Sequence, residues 1–252
     1  GHSLAKDNSP EFSLDSFNKL QSRLQDEGYL NAGIVSLYSK NEQLQKGIWG
    51  LSGRPVSVKA SYYYDAFRKE DKYIVVPTKS ESIDTYALRL KDVIELVKER
   101  TGKPKVNIIA HSMGGLVARR YIQIFGTGDV DKLIMAATPN KGISGPIGNY
   151  CNLVGENREC SEMQENSLFI NKLNDPAAQP KDAKVYSVIG TGCEMKGSYG
   201  DGIVQKESAG LENAELHYVN GTCQGLSTLH TDILDIDRYP ETYRIVRDAL
   251  ES

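Results

Sequence analysis

A mostly parallel central sheet with helices on both faces is the fold class that this 252-residue chain predicts. Three observations predict it. Short apolar runs rich in Val and Ile alternate with segments of helical period over nearly the whole length, as parallel strands joined by crossover helices require. A 39% hydrophobic fraction in a chain of this length supplies one large core. Neither an internal repeat nor a low-complexity tract interrupts the pattern.

The elements follow in order. Leu14, Phe17, Leu20 and Leu24 keep helical spacing from Phe12 to Gly28, where glycine ends the helix. Strands are expected at Ile34 to Tyr38, Val56 to Tyr64 and Tyr73 to Val76, and two of them can form a hairpin. The triple tyrosine Tyr62-Tyr63-Tyr64 reads as β-propensity rather than as the wall of a pocket. Asp84 is the expected cap of a helix from Thr85 to Arg100, whose apolar face is Leu88, Val93, Leu96 and Val97. The run from Lys105 to Ala110 predicts a strand buried on both faces, and Leu116, Val117, Tyr121, Ile122 and Ile124 a helix stopped by Gly126. Later strands are expected at Lys132 to Ala137, Lys184 to Ile189 and Glu215 to Val219, with a terminal helix from Tyr239 to Leu250. Between residues 140 and 181 the alternation fails, apart from a helix-like run from Met163 to Leu173. The chain is therefore expected to be one domain over residues 1–252, with 140–181 inserted as a cap or lid.

Bulk properties narrow the function classes. A net charge of −3 argues against a nucleic-acid partner. No apolar run approaches the ~18 residues of a membrane span. A mean hydropathy of −0.43 disfavours a large permanent lipid-facing patch. Cys151 and Cys160 lie close in sequence in a polar stretch, while Cys193 and Cys223 each follow an expected strand end. Pairing them 151 with 160 and 193 with 223 needs the least rearrangement of chain, and two disulfides imply an extracellular, periplasmic or other oxidising compartment.

Ala110-His111-Ser112-Met113-Gly114 places a serine between small residues at a strand-to-helix turn. Small residues two before and two after let the strand and helix close while the hydroxyl projects above the sheet. A helix N-terminus at such a serine favours the negative charge that a tetrahedral acyl intermediate develops. The segment Ala110 to Gly115, A-H-S-M-G-G, resembles the nucleophile elbow of small bacterial lipases of the α/β-hydrolase fold, with Ala110 standing where the usual pattern has glycine.

A serine hydroxyl needs a base and the base an orienting acid. Of the four histidines, His2 is terminal, His217 sits in an expected strand, and His111 lies within the elbow with its side chain directed away from the nucleophile. His230 remains, between the last strand and the terminal helix. Asp201, in Tyr199-Gly200-Asp201-Gly202-Ile203-Val204, is the expected acid, with Glu194 and Asp232 in reserve. Lipases with a similar S-D-G-I-V-like segment support Asp201, and the chain order Ser112, Asp201, His230 is that of the fold.

The resemblance implies a carboxylic ester hydrolase that uses Ser112, His230 and Asp201, forms an acyl-enzyme, acts on an acyl ester or lipid with at most transient contact with a lipid interface, and needs no cofactor; no residue is assigned as a metal ligand. Its oxyanion donors would be the Met113 amide and, if Gly1 is the second half of the family's His-Gly pair, the His2 amide. Gly1-His2 reads equally as the remnant of a purification tag. On the first reading one central strand precedes residue 1 and comes from a longer parent chain or an associated N-terminal fragment. An acyltransferase or thioesterase shares the same chemistry up to the acyl-enzyme, and a catalytically silent binding protein of this fold remains a reading of a different class.

Overall fold

A computed structural model describes residues 12–36, 39, 44–69, 72–77, 81–145, 157–178, 182–224 and 227–252. By contacts the chain divides into two compact units, residues 1–79 with 89–103, and residues 80–88 with 104–252.

In the first unit a 3₁₀ turn, Phe12–Phe17, runs into helix α1, Asn18–Asp26, and together they bury Leu14, Leu20 and Leu24. Gly28, at φ +102°, lets the chain leave the helix as expected. Strand β1, Leu30–Val35, starts earlier than the sequence suggested and pairs in parallel with β2, Val56–Ala60. Tyr38 lies outside the described residues. The expected single strand from Val56 to Tyr64 is two: β2 ends at Ala60, and β3, Tyr64–Lys69, turns to pair antiparallel with β4, Lys72–Pro77. Ser61 makes the break, because its Oγ accepts the Tyr63 amide at 3.4 Å and offers the backbone a local bond in place of the ladder. The core of this unit gathers Val35 with Val93 and Leu96 from helix α2, Ile83–Thr101, and packs Trp49, Val58, Ala60 and Val97 against them.

The second unit holds the main sheet. Its strands are β5, Val106–His111, β6, Val130–Ala136, β7, Lys184–Thr191, and β10, Glu215–Asn220, in the order β10-β7-β6-β5 and all parallel. A hairpin of β8, Cys193–Met195, and β9, Ser198–Gly200, leaves the end of β7. Helices α3, Met113–Phe125, α4, Asn157–Glu162, α5, Leu168–Leu173, α6, Lys206–Ala209, α7, Leu229–Asp232, and α8, Pro240–Glu251, complete it. The mostly parallel sheet with helices around it is the fold class expected.

Three local expectations need correction. Burial on both faces belongs to the interior strands β6 and β7, whereas β5, at the margin of these four strands, is half-buried along most of its length. Asp84 does not cap α2: the Ser82 Oγ accepts the Thr85 amide at 3.1 Å, and Asp84 instead binds Arg120 of α3 at 2.6 Å. The helix-like run from Met163 to Leu173 is broken, because Asn166 takes φ +63° and Ser167 caps a fresh helix by accepting the Ile170 amide at 3.0 Å.

Carboxylates fasten the described part of the insertion to the rest of this unit. Glu162 accepts the Ile83 amide at 2.6 Å, and Glu159 accepts the Tyr86 hydroxyl. Met163, Phe169, Ile170 and Leu173 turn inward. Of the cysteines, Cys193 and Cys223 form the disulfide expected of them. Cys160 is also disulfide-bonded, and Cys151 lies outside the described residues.

Candidate active site

The carboxyl ends of β5, β7 and β10 deliver the chemistry-bearing residues. Ser112 follows β5 directly, at φ 53° and ψ −129°. A non-glycine residue in that region costs about 1–3 kcal/mol, which the surrounding bonds must offset. Three bonds do so: the Ser112 amide donates to the Ala136 carbonyl at 2.9 Å, and the Ser112 carbonyl accepts from the Gly115 amide and the Thr138 hydroxyl, each at 3.0 Å. Thr138 also explains the second glycine of the elbow. A Cβ on Gly115 would stand 2.0 Å from the Thr138 Oγ1, so no larger residue lets the helix come this close.

Ser112, His230 and Asp201 lie in one hydrogen-bonded chain. The Ser112 Oγ is 2.9 Å from the His230 Nε2, and the His230 Nδ1 is 2.8 Å from the Asp201 Oδ2. Asp201 and His230 are each 1% exposed, so the contact between them is shielded from competing water, while the contact with the half-buried Ser112 lies nearer the surface. The other carboxylate oxygen, Oδ1, accepts the amides of Ile203 and Val204 at 2.9 and 2.7 Å. Asp201 is thus held by its own turn, and its carbonyl accepts the His230 amide at 2.9 Å. Gly190 on β7 makes room for it, since a Cβ there would stand 2.6 Å from that of Asp201.

The remaining sequence candidates separate cleanly. Met113 is the first residue of α3, so its amide is among those with no carbonyl partner inside the helix. His2 lies outside the described residues. Of the reserve acids, Glu194 is exposed on β8, while Asp232 is engaged by Arg238 and by the Ser227 hydroxyl at 2.8 Å. His217 sits on β10 beside Glu215, at 3.0 Å, and stacks on Tyr186.

The position of His111 departs from expectation. Its ring lies beside that of His230, with centroids 5.1 Å apart, and its Nε2 is 2.7 Å from the main-chain carbonyl of His230. Its pKa is lowered from 6.5 to about 4, first by burial and then by the neighbouring His230, against smaller upward pulls from that hydrogen bond and from Asp201. Between about pH 4 and 6.5 the unfolded chain therefore binds a proton at His111 that the native protein refuses, so stability falls as pH drops through that window. Urea unfolding of the wild type from pH 7 down to 4 should show this loss, and His111→Gln should flatten it.

Sequence reasoning also missed Arg119, whose side-chain partners among the described residues are all neutral. Its buried guanidinium donates to the Asn140 carbonyl and Oδ1 at 3.2 and 3.1 Å, to the Leu173 carbonyl at 3.3 Å and to the Asn174 Oδ1 at 2.8 Å. Burial lowers its pKa to about 10, which leaves it charged near neutral pH. It ties α3 to the segment after β6 and to the end of α5.

The family model for lipase (class 2) matches residues 67–234, about two thirds of the chain. The chain belongs to the class 2 lipase family. It is accordingly a hydrolase acting on esters, and esters or lipids are its substrate class. Solved structures agree on the fold. A lin2722 gene product from Listeria innocua is 17% identical with a TM-score of 0.59, over 98% of this chain and 91% of that one. The mature form of the Bacillus licheniformis lipase BlEst2 is 14% identical with a TM-score of 0.56, over 88% and 91%. No curated protein matches the chain.

Proposed function

We propose that this class 2 lipase cleaves carboxylic esters by a serine mechanism, with Ser112 as nucleophile, His230 as general base and acid, and Asp201 as the group that orients His230. The hydrogen-bonded chain from Asp201 through His230 to Ser112 is the observation that carries the reading. His230 keeps its proton on Nδ1, toward the carboxylate, so its Nε2 is free to take the proton of Ser112 as the Oγ attacks the acyl carbon. The carbonyl oxygen becomes an oxyanion that the Met113 amide and the N-terminal end of α3 stabilise. Collapse breaks the bond to the alcohol, which leaves with the proton from Nε2. Water deprotonated by His230 then attacks the acyl-enzyme, and the carboxylic acid is released as Ser112 recovers its proton.

The polar segment 140–181 is the proposed cap over the acyl pocket, and the disulfide between Cys193 and Cys223 supports an oxidising compartment such as the bacterial exterior. A fluorophosphonate probe should form one adduct per folded chain, on Ser112, and the same treatment should abolish turnover of p-nitrophenyl esters. An adduct elsewhere, or full turnover with Ser112→Ala, would remove Ser112 from the mechanism.

A further inference from the structure

We propose that His111 is a positioning residue for the catalytic base: by donating its Nε2–H to the main-chain carbonyl of His230, it fixes the loop that carries the imidazole to the step of β5 that delivers Ser112. The inference rests on the serine-hydrolase reading above and names a part of that site that the triad leaves out.

The chemistry of the contact sets its direction. A carbonyl oxygen only accepts, so at 2.7 Å the His111 Nε2 must carry the hydrogen, and this fixes the neutral tautomer of His111. The two rings are 5.1 Å apart and tilted by 48°, so the link is the hydrogen bond rather than a stack. His230 sits in α7, a helix of only four residues, far too short to hold its own orientation. Its carbonyl lies in the last turn, where such groups lack a partner within the helix. His111 supplies that partner. The residue is then gripped at four points: its amide and its Nδ1 by Asp201, its Nε2 by Ser112 and its carbonyl by His111. Main chain and ring are both fixed, and consecutive residues 111 and 112 provide two of the four grips.

Neutrality is the second half of the argument. His230 becomes an imidazolium during turnover, and a second positive charge beside it would oppose that step. The charged groups acting on His111 are His230, which disfavours its protonation, and Asp201, which favours it; burial tips the balance and keeps the ring neutral. A lysine would donate equally well but bring a charge; a serine would fall short. A glutamine side chain places a neutral N–H close to where the histidine Nε2–H sits.

The test compares His111→Gln with His111→Leu in the full chain, beside Ser112→Ala. Loss of the donor should lower kcat about 10- to 100-fold with KM little changed, because a small displacement of a catalytic group has that order of effect. The rate of fluorophosphonate inactivation should fall by the same factor, since it reports the activation of Ser112 without an extended substrate. His111→Gln should recover both rates. A His111→Leu protein as fast as wild type overturns the proposal, and so does His111→Gln as slow as a folded His111→Leu. If His111→Leu does not fold, the wild type still decides: ¹⁵N resonances of labelled histidine should show His111 neutral and protonated at Nε2 at pH 6, and a charged ring or a proton on Nδ1 overturns the assignment. Full turnover by Ser112→Ala would instead defeat the serine mechanism while leaving the tautomer result standing.

Discussion

Asp201→Asn should lower kcat by about 10⁴-fold while leaving the protein folded, the order of loss expected when a catalytic histidine is held in the wrong tautomer. The geometry shows why folding and turnover part company. The Asp201 Oδ1 accepts two amides of its own turn, from Ile203 and Val204, and an asparagine carbonyl oxygen accepts both equally. The backbone bonds of the turn, from the Asp201 amide to the Val204 carbonyl and from the His230 amide to the Asp201 carbonyl, do not involve the side chain at all. What changes is the atom facing His230. With Oδ1 committed to the turn, the asparagine NH₂ must occupy the place of Oδ2, 2.8 Å from the His230 Nδ1, and it can only donate. The imidazole then moves its proton to Nε2, where it points at the Ser112 Oγ and cannot accept the proton of the nucleophile. Thermal unfolding close to that of the wild type, together with the collapse of ester turnover, would bear this out. Turnover within tenfold of the wild type would take the orienting role from Asp201.

How much of this arrangement the letters carried differs from residue to residue, for physical reasons. The β5–Ser112–α3 step was legible because it is local: an apolar run, small neighbours and a helical period meet within about twenty residues. Asp201 was legible as an acidic residue in a glycine-flanked turn beyond a strand, and His230 by elimination among four histidines. His111 was not. Its partner is a main-chain carbonyl 119 residues away, and every residue has a carbonyl, so no side-chain pattern could single this one out. Arg119 escaped for a related reason, since a charged residue on a helix reads as exposed until four neutral oxygens, two of them main-chain, are seen to surround it. Competing local bonds account for the misplaced boundaries. Ser61 breaks a run of good strand formers, and Ser82, just ahead of α2, takes the cap, while Asp84 lies within the first turn of that helix and is held by Arg120.

Removing the bridge between Cys193 and Cys223, as the double Ser variant, should destabilise the protein by about 3.6 kcal/mol through the loop entropy returned to the unfolded chain over a span of 30 residues. For a chain of this size that lowers Tm by roughly 7–14 °C. Turnover at room temperature should stay near the wild-type level, and the reason lies in where the bridge runs. It joins the exits of β7 and β10, the strands whose following loops carry Asp201 and His230, and a Cβ on Gly202 would stand 2.6 Å from the Cys223 Sγ. The Cys223 Sγ lies 3.4 Å from the Asp201 main-chain carbonyl, whereas the carboxylate itself is held by the Ile203 and Val204 amides and by His230. The bridge is therefore expected to raise the temperature at which the two loops part without setting the distance between Asp201 and His230. Calorimetry combined with a room-temperature ester assay separates the two roles. A fall in kcat of tenfold or more with little change in Tm would mean that the bridge itself holds the catalytic geometry, and the division of labour argued for this loop pair would have to be reversed.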